Sequence, residues 1–240
     1  MIVEGFRECR RALDNGYRPH MIFHCPDLYL KNENEAGIVS DSVARGAEEY
    51  VCSKAAFLKM AYRDRPDGLL MVGPHVAKRL KDLSLPPNAL VIVTEAIEKP
   101  GNLGAVLRSA DAANATGVIV CDPLTDLYNP NLIRSSIGAV FTVPTVACTS
   151  EECITFLKQH GIQILTAQLQ DSHLYYDTPM SGPTAIVMGT ESTGLTDAWR
   201  QVADAHIRIP MMGQLDSLNV SVSAAILLFE AVRQRQASDV

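Results

Sequence analysis

The chain has 240 residues, 47% of them hydrophobic and 20% charged, with a net charge of −6 at neutral pH. That is an ordinary balance for a globular protein, and a chain of this length buries roughly 70% of its unfolded surface, so it needs no staples. No apolar run reaches the roughly 20 residues of a membrane span, and the charged, amphipathic opening MIVEGFRECRRAL is not a signal peptide, so the reading is a cytoplasmic protein without a membrane partner.

In chain order, VEGFRECRRALDNG (3–16) reads as an amphipathic helix closed by Gly16. HMIFHC (20–25) and LLMVG (69–73) read as short strands. SKAAFLKMAY (53–62) reads as a helix with Ser53 as its N-cap. These elements predict a small α/β module over residues 1–83. The run SLPPNA (84–89) breaks regular structure and marks the boundary. A second domain is expected over 88–240.

The second domain is repetitive. ALVIVTEAI (89–97), GVIVCD (117–122), IQILTAQL (162–169), TAIVMGT (184–190) and HIRIPM (206–211) read as buried strands. Between them, LGAVLRSADAANA (103–115) reads as a helix closed by Gly117, NLIRSSIGAVF (131–141) as a helix leading into TVPTVAC, and EECITFLKQH (151–160) as a helix closed by Gly161. Apolar β-branched runs alternating with helices predict an α/β fold, a parallel sheet covered by helices on both faces. Such sheets bind ligands at the carboxyl ends of their strands.

The charge is uneven. Residues 1–85 carry 13 Lys/Arg against 12 Asp/Glu, whereas the remainder carries 8 against 15. A phosphate-bearing partner would therefore be met by the first third of the chain. None of the six cysteines forms a CxxC pair, and Cys148 and Cys153 have no histidine at ligand spacing. They read as reduced thiols, with no metal site.

Three polar, glycine-bearing loops follow strands. In the first, residues 98–111, Gly101 and Gly104 permit close backbone approach, Asn102 reads as a helix cap, and Arg108 supplies a fixed cation suited to phosphate or a developing oxyanion. The second, MGTESTGL (188–195), carries Glu191, which can cap the helix TDAWRQVA or position another side chain. In the third, Ser217-Leu218-Asn219 leads into the apolar VSVSAAILLFEAV, where small residues allow tight packing. The GxGxxG and ribose-binding acid of a dinucleotide fold are absent, which counts against a nucleotide-dependent oxidoreductase.

In these residues the chain resembles the SpoU, or TrmH-type, branch of the SPOUT RNA methyltransferases. PGNLGAVLRSADA, MGTESTGL and IPMMGQLDSLNVSVSAAILLFE occur in the family's order across roughly residues 90–235, with YNPNLIRSSIGAVFTVP between them. The resemblance implies a C-terminal trefoil knot, a homodimer formed through the methyltransferase domain, and S-adenosyl-L-methionine as cofactor. It places Thr166, Met188, Gly189, Ile209 and Leu218 on the cofactor, and Asn102, Arg108, Glu191, Ser217 and Asn219 at the catalytic and conserved polar positions. The N-terminal module resembles the family's RNA substrate-binding domain, entered at a point well inside it, which implies either a late coding start or a trimmed module.

The implied reaction is methylation of a ribose 2′-hydroxyl in RNA, with ribosomal RNA favoured over tRNA. A tRNA ribose methyltransferase and a catalytically silent RNA-binding member are the alternatives. Arginine stays protonated up to a pH of about 12. Arg108 is therefore expected to stabilise an incipient alkoxide or clamp a phosphate, with Asn102 and Glu191 orienting it.

Overall fold

The computed structural model describes residues 1–76, 78–190 and 193–238. In chain order they form β1 (Ile2–Glu4), α1 (Phe6–Asp14), β2 (Met21–His24), α2 (Glu33–Ala44), β3 (Glu48–Val51), α3 (Lys54–Met60) and β4 (Leu69–Val72). There follow β5 (Leu90–Glu95), α4 (Pro100–Ala112), β6 (Gly117–Cys121), α5 (Pro130–Ser135), α6 (Ala139–Thr142) and β7 (Thr145–Cys148). The remainder is α7 (Ser150–Gln159), β8 (Gln163–Ala167), β9 (His173–Leu174), β10 (Thr184–Met188), α8 (Asp197–Val202), β11 (Ala205–Arg208) and α9 (Val220–Ser238). Two compact units result: Met1–Ala77 with Leu127–Thr142, and Lys78–Asp126 with Val143–Val240.

The first unit is built on a mixed sheet of order β1-β4-β2-β3, in which only the β2–β3 pair is parallel. The helix predicted from residue 3 starts at Phe6 instead. Gly5, at φ 101°, turns the chain from a strand that buries Val3 into the helix, a conformation that favours glycine. With no side chain at the cap, Asp67 supplies the acceptor for the Phe6 N–H at 2.7 Å. Ser53 caps α3 as expected, accepting from the Ala56 N–H.

Helix α2 and strand β3 lie where the sequence offered no clear period. The buried face of α2 mixes Glu35 and Ser42 with Ile38 and Val39, and every residue of β3 is exposed at the sheet edge. The helix predicted over 131–141 is broken in two. Ile137 and Gly138 both take positive φ, and a Cβ on Gly138 would stand 3.1 Å from the Glu8 Cα. Helices α5 and α6 pack on β1 and α1, so this segment belongs to the first unit.

The second unit is a seven-stranded sheet of order β7-β6-β5-β10-β8-β11-β9, parallel at every pairing. One face packs Val91, Val93, Ile119, Ile164 and Val187 against Phe156 and Leu157 of α7 and Trp199 of α8. The alternate residues, among them Ile92, Val118, Leu165 and Ile186, are equally buried. They lie on the side where α4 and α9 pack together and against the sheet. Period-two alternation with both faces buried is why these strands read as continuous apolar runs.

Two predicted caps are corrected. Helix α4 begins at Pro100 with Lys99 as N-cap, so Asn102 lies inside its first turn and does not cap it. Gly117 does not close α4, which ends at Ala112, with Asn114 at φ 50° two residues on. Gly117 is the first residue of β6, where a Cβ would come within 2.8 Å of Leu83 and 3.0 Å of the Pro144 carbonyl.

The far end of α9 is fastened to the sheet's base. The Arg235 guanidinium donates to the carbonyls of Asn88, Ala89, Met180 and Gly182 at 2.6–3.2 Å. Gln234 both accepts from the Met180 N–H and donates to the Thr178 carbonyl.

Candidate active site

Strands β8, β10 and β11 end side by side, and parallel strands present their unclaimed backbone groups at that edge. A cleft of about 160 Å³ opens there. Its floor is Ala167–Leu169, Met188–Thr190 and Ile207–Ile209. Its outer wall is the loop through Met211, Asp216, Ser217 and Leu218, continued by Val220, Ser223 and Leu227 of α9. A second hollow adjoins it, lined by Ala96–Lys99 and Asn102 and sharing Gly189, Thr190 and Val220 with the first. The three polar loops therefore converge, as their placement at strand ends predicted.

Backbone crowding shapes the middle loop. A Cβ on Gly189 would meet the Gly194 carbonyl carbon at 2.3 Å, its oxygen at 2.5 Å and the Leu195 nitrogen at 2.5 Å. Those are backbone atoms and cannot swing aside. The crossing is held by a reciprocal pair of bonds, the N–H of Thr190 and of Gly194 each donating to the other's carbonyl at 3.2 Å. Gly194 takes φ 69°.

The entry to α9 has a local explanation. Asn219 accepts at Oδ1 from both the Ser221 N–H (3.0 Å) and the Ser221 hydroxyl (2.7 Å). Its Nδ2 donates to Asn102 Oδ1 at 3.2 Å, joining the third loop to the first. Asn102 is thus paired with Asn219 and not with Arg108. Six residues of helix turn Arg108 about 120° away from Asn102 and some 9 Å along the axis. Arg108 is exposed, outside both hollows, and makes no hydrogen bond or ion pair among the described residues.

Of the predicted cofactor residues, Met188, Gly189, Ile209 and Leu218 line the cleft, as does Ser217. Thr166 does not. It is fully buried one residue behind the floor, with its hydroxyl on His206 Nδ1 at 2.6 Å. Glu191 lies outside the described residues. The capping role considered for it at the 196–203 helix is filled by Glu95, whose Oε2 accepts from the Thr196 N–H at 2.9 Å and Oε1 from the Thr196 hydroxyl at 2.7 Å. The sequence carried a signal for this: a carboxylate at the end of a wholly buried strand needs donors. Arg208 and Asp216, which also line the cleft, went unread. Arg208 donates to the Ser172 carbonyl, which fixes its aliphatic stem along the wall.

A parallel, helix-covered sheet with a half-apolar cleft at its strand ends defines a protein that binds a small cofactor beside a polar reaction hollow. Comparison with known proteins gives the family. The SpoU rRNA Methylase family profile matches residues 89–229, and the MRM3-like substrate binding domain profile matches residues 1–71. The chain belongs to the SpoU rRNA methylase family.

Among curated relatives, the 23S rRNA (guanosine(2553)-2′-O)-methyltransferase RlmP of Bacillus subtilis is 30% identical over 197 residues, covering 82% of this chain and 77% of the relative. The 23S rRNA (guanosine-2′-O-)-methyltransferase RlmB of Vibrio parahaemolyticus is 37% identical over 170 residues, covering 68% and 69%. Among solved structures, an RNA 2′-O ribose methyltransferase superimposes with a TM-score of 0.83 at 40% identity, covering 98% of this chain and 89% of that one. The AdoMet-bound rRNA methyltransferase from Sinorhizobium meliloti gives 0.87 at 29% identity, covering 97% and 86%.

Proposed function

We propose that this chain transfers a methyl group from S-adenosylmethionine to a ribose 2′-hydroxyl of ribosomal RNA. The observation that carries the reading is the joined pair of hollows: an apolar cleft at the ends of β8, β10 and β11, opening onto the hollow that holds Asn102. The cleft suits the cofactor. Met188, Ile209, Leu218 and Leu227 offer apolar surface to a purine, and the strand-end backbone at Ala167–Leu169 offers donors and acceptors for its edges. When bound, the cofactor supplies an activated methyl group on a sulfonium.

The chain's own residues then have to hold the ribose and handle one proton. Asn102 and Asn219 form a bonded pair beside the cleft, poised to orient the sugar. Ser217 shapes the mouth from the other side. Arg108, exposed and without a hydrogen bond or ion pair among the described residues, presents its guanidinium to RNA and stabilises the alkoxide or the adjacent phosphate. Glu191 is assigned to steering Arg108. The hydroxyl proton leaves to water or transiently through Arg108.

Ribosomal RNA is supported by the names of the relatives and by the match of the first 71 residues to a substrate-binding domain. The base is left open between guanosine, uridine and cytidine; the relatives include guanosine and uridine enzymes. We assign residues 1–83 to RNA binding and 88–240 to methyl transfer, in the cytoplasm. A C-terminal trefoil knot is supported by the insertion of β10 between β5 and β8 and by the tethering of α9. A homodimer is supported by the apolar face of α9, where Val222 and Phe229 are each 47% exposed.

Transfer of a tritiated methyl group to ribosomal RNA and tRNA stripped of modification, followed by nuclease mapping, tests the proposal. Label on a ribose of ribosomal RNA is expected. Label on a base refutes 2′-O chemistry, and label on tRNA alone refutes the substrate.

A further inference from the structure

Three of the six cysteines, far apart in sequence, meet at one place. Cys121 and Cys148 are the last residues of β6 and β7 and stand in register with each other. Both therefore project to the same face of the sheet. Cys153, in the first turn of α7, packs onto that face. The three Sγ atoms lie within 4.8 Å of one another. Cys121 and Cys153 are fully buried among core side chains, while Cys148 is only partly covered. The cluster is thus closed on its inner side and least covered on the Cys148 side. It lies beyond β5 from the β8–β10–β11 edge that carries the cofactor cleft, and the proposed reaction makes no use of it.

We propose that Cys121, Cys148 and Cys153 are a three-thiolate site for a thiophilic divalent cation of the zinc type. Zinc–sulfur bonds of about 2.3 Å in tetrahedral geometry put the sulfurs roughly 3.8 Å apart. The observed spacing, at most 4.8 Å, needs to close by about an ångström at most, which rotation of the partly buried Cys148 side chain supplies. Thiolates are the ligands that select soft ions over calcium or magnesium.

Charge favours the divalent ion. Three thiols give up three protons, so a divalent ion leaves a net charge of −1, whereas Cu⁺ leaves −2 beside Asp122 and Glu152. Those two carboxylates flank the open side, held there by Ser150 and by Thr149 respectively. They attract a cation and repel anionic thiol oxidants. A water molecule at the open side completes four-coordination. The ion would pin the ends of β6 and β7 to α7, whose next turns carry Phe156 and Leu157 into the core.

The test uses the full chain, reduced and stripped of metal under anaerobic conditions. It is titrated with Zn²⁺ against a chromogenic competitor, with Co²⁺ as a spectroscopic probe and with Cu⁺ in parallel. One Zn²⁺ per chain, a thiolate-to-cobalt charge-transfer band, and a metal-dependent rise in melting temperature are expected. Cys148→Ser should weaken binding on the order of 100-fold, and Cys52→Ser, in the first unit, should leave it intact. Circular dichroism of Cys148→Ser and Cys148→Ala establishes that both fold. Absence of stoichiometric Zn²⁺ binding overturns the proposal, as does binding that survives Cys148→Ser or is lost with Cys52→Ser. Uptake of Cu⁺ alone, or a Cys121–Cys148 disulfide in a chain that takes no metal when reduced, also overturns it.

Discussion

Replacing Gly189 with alanine tests how the cofactor wall is built. A new methyl at this position would sit 2.3–2.5 Å from three backbone atoms of Gly194 and Leu195, where carbon contacts normally settle at about 3.5–4.0 Å. The deficit exceeds an ångström on atoms that no rotamer change can move. The crossing strands must separate, and the cheapest route breaks the Thr190–Gly194 hydrogen-bond pair, two bonds of 3.2 Å. At about 1 kcal/mol per bond, the loop loses about 2 kcal/mol of ordering free energy. That corresponds to a roughly 30-fold weakening of any ligand requiring the closed loop. Calorimetric titration of S-adenosylmethionine into wild type and Gly189→Ala measures this directly, with a thermal melt alongside. Because the defect is local, affinity should fall far more than the melting temperature. Wild-type affinity in a folded Gly189→Ala protein would refute the reasoning that this crossing forms the wall.

Four further outcomes are expected. Arg108→Ala should lower methyl transfer by roughly 10²–10³-fold with cofactor affinity unchanged, and Arg108→Lys should retain substantial activity if charge alone suffices; near-complete loss with lysine would indicate that the planar, bidentate fork is needed. Asn219→Ala removes the acceptor for Ser221 and the link to Asn102, so a stability loss of about 1 kcal/mol by denaturant melt should accompany a larger loss of kcat. Phe229→Asp, on the exposed stripe of α9, should yield monomers in analytical ultracentrifugation; an unchanged species would remove α9 from the interface. The Arg233 guanidinium, followed by burial and the Gln234 amide, acts on Glu230, and the net effect holds its carboxyl below the ordinary 4.5. Its stabilisation is therefore present at neutral pH and lost as the pH falls through that lowered value. Glu230→Gln should be less stable than wild type at pH 7 by chemical denaturation, with the difference shrinking towards pH 3.

The parallel sheet was legible because its strands are buried on both faces and so read as nearly continuous apolar runs, as in LVIVTE and TAIVM. The convergence of the three loops was legible because each directly follows or adjoins such a strand. The helix ends were less so. Gly5 and Gly138 set their boundaries through positive φ, and each glycine there is answered by a distant residue, Arg63 or Glu8. No local window contains that information. Thr166 lies one residue behind the cleft floor, its hydroxyl on His206, and the floor itself is 167–169. The cysteine cluster was invisible for a similar reason. Metal spacing is sought along the chain, whereas here strand register brings residues 121 and 148 side by side.

The tether at Arg235 bears on the order in which the protein becomes competent. Helix α9 spans 19 residues, about 28 Å of rise. Its first two turns wall the cleft, while its far end is fixed to carbonyls at residues 88–89 and 180–182. A nascent chain that has emerged through β11 already holds every strand of the sheet but not the wall. The ability to take up cofactor therefore arrives only when α9 has been made and docked, after the framework it depends on. A chain halted after β11 would hold the strands of the sheet but lack the wall that closes the cofactor site.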